Sequence, residues 1–171
     1  MSKKPTLLQQ FRSFCFQNNP NNLEDALKYF AVFGGTSWSV DTTKPLNELI
    51  ESKVLKNYTY INGDITKFTK SDKVSHSLLS AVAIGDGRVH SALKRARISR
   101  GEGEEAIDTL CDKGIIKAEY SLESPPSPDE KIDEKLNFST PFMRFWFAFI
   151  SPFFKTIKEG EYKEAKARIF S

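Results

Sequence analysis

The residues best suited to chemistry lie between Arg88 and Asp112. Arg88, Lys94, Arg95, Arg97 and Arg100 form a cationic run with no acid among them. Cations at this density neutralise phosphates, the main source of affinity for nucleic acid. Glu102, Glu104, Glu105, Asp108 and Asp112 follow at once. Carboxylates repel phosphate, so the two halves of the stretch have opposite uses. The first could hold a nucleic-acid backbone and the second a basic protein surface. Lys131 and Lys135 add two cations further on.

Other chemistries lack their residues. There is no G-x-x-x-x-G-K-[ST] loop to cradle phosphates, because Gly34-Gly35 has no lysine after it and Gly85-Asp86-Gly87 lacks the rest of the pattern. His76 and His90 stand alone, and with Cys111 they have no metal-site spacing. No G-x-S-x-G elbow occurs, and no pair of acids is set for general acid–base work. Cys15 and Cys111 lie far apart on predicted helices and are expected to be buried, reduced thiols. The expectation is a module with no catalytic constellation, no cofactor and no metal.

The elements that must position the charges read in a definite order. Val74, Leu78, Leu79 and Val82 give a helix over 72–84, with Ser71 as its N-cap and Gly85 and Gly87 at its end. Val89, Leu93 and Ala96 give a second helix from Arg88 to about Ala96. Ser99-Arg100-Gly101-Glu102 fits the S-x-x-E capping box of a third, which Gly114 stops. Ile115 to Tyr120 and Lys135 to Thr140 read as strands. Ser124-Pro125-Pro126-Ser127-Pro128 between them cannot pair, because proline lacks the N–H a ladder needs. Helix, helix, helix and a hairpin with a Pro-rich tip is the order of a winged helix. In that motif the third helix enters the major groove; here it is the acidic one.

The flanks read as helical. Thr6 to Gln17 suits a helix with Leu7, Leu8, Phe11, Phe14 and Cys15 on one side. A second begins at Asn22 or Leu23, with Leu23, Leu27, Phe30 and Ala31 as its inner stripe and Gly34-Gly35 at its end. Trp38 to Lys44 looks irregular, and Pro45 opens a helix carried by Leu46, Leu49, Ile50 and Val54. Tyr58 to Ile61 reads as a short strand or extended linker, with Asn62-Gly63 as a turn. Beyond the hairpin, Phe142, Phe145, Trp146, Phe149 and Ile150 recur at helical spacing until Pro152. Such a helix, apolar nearly all round, must be covered by the rest of the chain or by a partner. Lys158 to Phe170 closes as a charged helix.

The fold class expected is mainly α with a small β-hairpin. A helical subdomain over 1–66 precedes a winged helix over 67–140, and an aromatic helix and a charged helix occupy 141–171. The chain of 171 residues carries a net charge of +3, compatible with nucleic acid as a partner. No apolar run reaches the roughly 20 residues a membrane span needs, and Lys3-Lys4 with Leu7-Leu8 is not a signal peptide. A cytoplasmic protein with no membrane partner is expected.

Two stretches carry a family resemblance. One is Tyr29-Phe30-Ala31-Val32-Phe33-Gly34-Gly35, followed by Thr36 to Trp38. The other is Phe138 to Phe147, with Ser151-Pro152 and Ile157-Lys158-Glu159-Gly160 after it. With a winged helix between them, they resemble the C-terminal part of archaeal-type P-loop ATPases of prokaryotes, the part carrying domain of unknown function 234. The resemblance spans roughly Leu23 to Gly160. It implies a winged helix leading into a region related to the PD-(D/E)XK nuclease fold, which would begin beyond Ser171. The ATPase module is missing, Thr140 stands where the family usually has Asp, and the third helix is more acidic than is usual there.

Two functions are therefore expected. The first is a non-catalytic winged-helix module that binds nucleic acid, duplex DNA above all, through Arg88, Lys94, Arg95, Arg97, Arg100, Lys131 and Lys135. It would be the N-terminal part of a nuclease-like protein. The second is a protein-interaction or scaffolding module, whose acidic third helix and aromatic helix bind a protein partner or a missing C-terminal domain.

Overall fold

The computed structural model describes residues 5–69, 72–120 and 134–170. The chain is mainly helical, and its one sheet among the described residues has two strands. It divides into two compact units, Met1–Asn62 with Thr140–Ser171, and Gly63–Ser139.

In the first unit, α1 (Leu7–Asn18) begins on a capping box in which Thr6 and Gln9 satisfy each other's backbone N–H. Of its expected apolar face, Phe14 is buried, whereas Leu7 and Leu8 are exposed. α2 (Leu23–Phe33) starts on Asn22, whose side chain accepts the Asp25 N–H. Of the predicted stripe only Phe30 is buried. Leu23 and Leu27 are 65% and 52% exposed, while Ala26, Tyr29, Phe30, Val32 and Phe33 are buried. The face richer in large aromatics packs inward because it buries more apolar surface.

Pro45 precedes α3 (Leu46–Lys53), and all four apolar residues assigned to it, Leu46, Leu49, Ile50 and Val54, are buried. A single 3₁₀ turn, Leu55–Asn57, leads into α4 (Tyr58–Thr69). The expected short strand or extended linker over Tyr58 to Ile61 and the turn at Asn62-Gly63 are thus both replaced by helix. Tyr58, Ile61, Ile65 and Thr69 are buried at helical spacing, and that burial overrides the turn preference of Asn-Gly.

The aromatic segment is a helix of changing width. α8 (Pro141–Phe145) passes into π-helix over Trp146–Ile150 and then a 3₁₀ turn, Ser151–Phe153. The Ser151 N–H reaches back five residues to the Trp146 carbonyl. Pro152 has no N–H to continue an α-helical ladder, so the widening falls just before it. The wide turn buries Trp146, Phe147, Ala148 and Ile150 together. Trp146 stacks on Tyr58, with ring centroids 5.3 Å apart and planes 11° from parallel. Burial pushes the Tyr58 hydroxyl above its ordinary pKa. The charged helix expected over Lys158 to Phe170 is shorter, α10 (Lys163–Ile169), and Gly160, whose φ of +83° suits glycine, separates it from α9 (Phe154–Lys158).

In the second unit, α5 (Lys73–Ile84) is capped by Asp72, one residue after the expected Ser71, which lies outside the described residues. α6 (Val89–Ala96) and α7 (Arg100–Asp112) follow, and the Ser99 hydroxyl accepts the Glu102 N–H as the capping motif requires. Gly103 lets these helices touch, since a Cβ there would lie 2.1 Å from Leu93 Cδ2. β1 (Ile116–Tyr120) and β2 (Glu134–Phe138) pair antiparallel with Ile116 opposite Phe138 and Ala118 opposite Leu136. The segment before α6 also joins the sheet through an isolated antiparallel bridge between Arg88 and Lys135. Leu78, Leu79, Leu110, Ile116 and Leu136 fill the core of this unit. The Pro-rich stretch from Ser124 to Pro128 lies outside the described residues.

Candidate nucleic-acid interface

The turn between α5 and α6 is built from Gly85, Asp86 and Gly87. Gly87 has φ +82°, and a Cβ on it would lie 2.8 Å from the Leu136 carbonyl oxygen. Only glycine lets the strand approach this closely. The Leu136 N–H then donates to the Gly87 carbonyl at 2.7 Å. These contacts dock the start of β2 on the start of α6 and so set Lys135 beside Arg88.

Three of the expected cations converge on this turn. The stem of Lys135 runs across Gly87, with Cγ and Cε 3.4 Å from where a Cβ would be. The Arg95 guanidinium lies over Gly85, its Nε 3.8 Å from the equivalent point there. Arg88 is the N-cap residue of α6, and its N–H donates to Asp86 Oδ1 at 2.9 Å. Its Nε is 3.9 Å from Asp86 Oδ2, with both side chains more than half exposed. Such a pair contributes about 0–1 kcal/mol, so Arg88 stays largely available.

Lys94 and Arg97 are exposed farther along α6. Neither they nor Arg95 and Lys135 form an ion pair among the described residues. Arg97 sits in the left-handed region, at φ +57°. It closes α6 with paired bonds, Arg97 N–H to the Lys94 carbonyl at 3.2 Å and Ile98 N–H to the Leu93 carbonyl at 3.0 Å. α7 ends identically, with Gly114 N–H on Cys111 and Ile115 N–H on Leu110. There the left-handed residue is glycine, at φ +74°. An arginine in the same place costs about 1–2 kcal/mol of steric strain.

Arg100 makes an exposed ion pair along α7, worth about 0.3–0.5 kcal/mol. Its Nε is 3.1 Å from Glu104 Oε1, one turn along α7. Glu102, Glu104, Glu105, Asp108 and Asp112 are all exposed, so the outward face of α7 is anionic. Val89, Leu93 and Ile107 floor a groove of about 250 Å³ beside it, rimmed by Arg100, Glu104, Asp108 and Glu134. Burial, then the Glu134 and Asp108 carboxylates, push the nearby Cys111 thiol up from its ordinary pKa. Lys131 lies outside the described residues.

No protein-family model, curated protein or solved structure matches this chain. The sequence singled out the cations but not the Gly85-Asp86-Gly87 turn on which they converge. Its signal was two glycines bracketing an acid just before the cationic helix. Among the described residues no group of His, Cys, Asp and Glu could hold a metal ion, and no helix is long and apolar enough to cross a membrane.

Proposed function

We propose that the unit Gly63–Ser139 is a winged-helix module that holds the phosphate backbone of nucleic acid, duplex DNA first, on α6 and the base of the hairpin. Two features support the winged-helix reading. The order α5, α6, α7, β1, β2 is that of the motif, and the isolated bridge between Arg88 and Lys135 ties the segment before α6 to the hairpin. One observation carries the nucleic-acid reading. Arg88, Arg95 and Lys135 converge on a single glycine turn, with only Asp86 as a counter-charge in that turn. Cations grouped in this way suit phosphates spaced along a backbone.

On this reading α7 is not the groove-reading helix, because its carboxylates would meet phosphate. Contacts by α6 and the hairpin base position the nucleic acid without reading its sequence, so binding is salt-dependent and weakly sequence-selective. The same reading takes the chain as akin to the C-terminal part of the ATPases carrying domain of unknown function 234. What supports this is that the two stretches that carry the resemblance pack against each other at Gly34-Gly35 and Thr140–Phe142.

The test is fluorescence anisotropy of a labelled DNA duplex across a salt titration. Micromolar binding that weakens steeply with salt is expected. Changing Arg88, Arg95 and Lys135 together to Gln should lower the salt slope by about 3, since each lost phosphate contact removes about 0.9. An unchanged slope with unchanged affinity overturns the reading.

The acidic groove beside α7 favours a second reading, a contact with a basic protein segment. Its apolar floor and carboxylate rim suit a lysine or arginine with an apolar neighbour. Absence of DNA binding at low salt would move the search to such a partner.

A further inference from the structure

The unit formed by Met1–Asn62 and Thr140–Ser171 holds a cleft of about 720 Å³ between α2, the start of α3, the aromatic segment and the end of α10. Volumes of this order suit small-molecule ligands, whose sites are mostly apolar with few polar groups. Val32, Leu46, Phe145 and Phe149 supply apolar wall, and Phe145 and Phe149 contact each other with ring centroids 5.5 Å apart. The charged residues lining it are Lys28 and Arg144, and no carboxylate lines it among the described residues. Neither cation has an ion pair among the described residues.

The cleft is held open from both sides. The Tyr29 hydroxyl donates to the Lys44 carbonyl at 2.6 Å, which fixes the approach to α3 against α2. α10 is anchored by the fully buried Ala165 and by the ion pair of Lys166 with Glu51 of α3. That pair holds the Glu51 carboxyl below its ordinary pKa. Arg144 itself stands between buried Phe142 and Phe145, the lone cation in a run of apolar residues, with its side chain exposed. Arg144 therefore puts on the cleft lining a guanidinium that has no ion pair among the described residues. A guanidinium binds carboxylate by two parallel hydrogen bonds.

We propose that this cleft binds a small amphiphilic anion, an organic carboxylate whose apolar body lies against Phe145, Phe149 and Leu46 and whose head meets Arg144 and Lys28. The site is separate from the cations around Gly85–Gly87 and does not depend on the nucleic-acid reading.

The experiment is isothermal titration of the full chain with decanoate, with decanol as the neutral comparison. Saturable one-to-one decanoate binding is expected, with decanol at least about tenfold weaker, the effect of one charged hydrogen bond. Arg144→Gln should weaken decanoate about tenfold and leave decanol unchanged. Ala31→Trp should abolish binding of both, because Ala31 lines the cleft and is exposed, so the indole fills the space without entering the core. Thermal unfolding checks each variant, and Lys28→Gln on exposed α2 replaces Arg144→Gln if that variant unfolds. Absence of saturable binding, equal affinity for decanol, or indifference to both Ala31→Trp and the charge change would overturn the proposal. Binding of an acidic peptide with no binding of decanoate would likewise overturn it and make the cleft a protein contact.

Discussion

The Phe142 N–H donates to the Gly34 carbonyl across 3.0 Å, although the two residues are far apart in the chain. Around this bond the glycine pair that ends α2 receives the start of α8. A Cβ on Gly34 would lie 2.7 Å from Pro141 Cγ, and one on Gly35 would lie 2.5 Å from Thr140 Cβ. Trp38 packs edge-on against Phe142, with centroids 5.1 Å apart. The end of α2 and the start of α8 therefore form one packed joint.

That joint should be intolerant of any side chain at either glycine. Gly35 has φ +86° as well as no room, so Gly35→Ala should cost at least about 2 kcal/mol from strain and overpacking together. Gly34→Ala, at φ −60°, meets crowding alone and should cost about 1–3 kcal/mol. Gly63 is the contrast, helical with nothing within 4 Å of a Cβ. Gly63→Ala should stabilise by about 0.5–1 kcal/mol. Urea unfolding of the three variants measures the order, and a stabilised Gly35→Ala would contradict the packing described.

Local signals carried much of the fold. α5, α6, α7 and β1 fell within about a residue of where caps, glycines and apolar spacing put them, because those signals act over one or two turns, while the cap of α5 moved from Ser71 to Asp72 and the second strand from Lys135–Thr140 to Glu134–Phe138. Tertiary choices were not legible. Leu23 and Leu27 had the spacing of a buried stripe but face outward, since the neighbouring aromatics won the core. Asn62-Gly63 looks like a turn, yet burial of Ile61 and Ile65 keeps the helix through it. At the candidate interface, the pairing of Arg100 with Glu104 follows from i,i+4 spacing and was readable. The meeting of Arg88 with Lys135 was not, because it depends on how β2 docks.

Arg97 and Gly114 occupy equivalent places at the ends of successive helices, and only one is glycine. If Arg97 is kept for its charge, Arg97→Gly should separate stability from binding. It should stabilise the fold by up to about 1 kcal/mol by relieving strain. It should also weaken DNA binding and lower the salt slope by about 0.9. Unfolding curves and anisotropy on the same preparation decide this. Lost stability, or unchanged binding, would count against a functional arginine.

Asp72 gives a pH-dependent prediction. Its carboxylate accepts the Ser75 hydroxyl at 2.8 Å and the Ser75 N–H at 3.2 Å. The hydroxyl bond is the main cause holding this carboxyl below its ordinary pKa; partial burial opposes it, and backbone N–H groups and Lys113 assist it. A carboxyl lowered in the folded state stabilises above its unfolded pKa of about 3.9 and loses that contribution as pH falls through the folded value. Asp72→Ala should therefore cost about 1 kcal/mol at pH 7, as for other lost caps, and less under acid. Asp72→Asn should retain most of the cap and flatten the acid limb of the stability profile. An equal cost of Asp72→Ala at every pH would rule out the charged cap.

Charge reversal on α7 distinguishes the two functional readings most sharply. Glu104 holds Arg100 at 3.1 Å, and Glu105 is its exposed neighbour. Changing both to Lys frees Arg100 and puts two cations in place of two carboxylates in the second turn of α7, at the expense of the exposed Arg100–Glu104 pair, a few tenths of a kcal/mol. Under the nucleic-acid reading the removed repulsion and the added cations should strengthen DNA binding and steepen its salt slope. Under the protein-contact reading the same variant should lose the basic partner, because the groove rim at Glu104 would repel it. Anisotropy with the labelled duplex reads the first outcome directly. Weaker DNA binding by the folded double variant would mean that α7 faces the nucleic acid in a way its native charge already serves, and the α6-centred geometry would have to be abandoned.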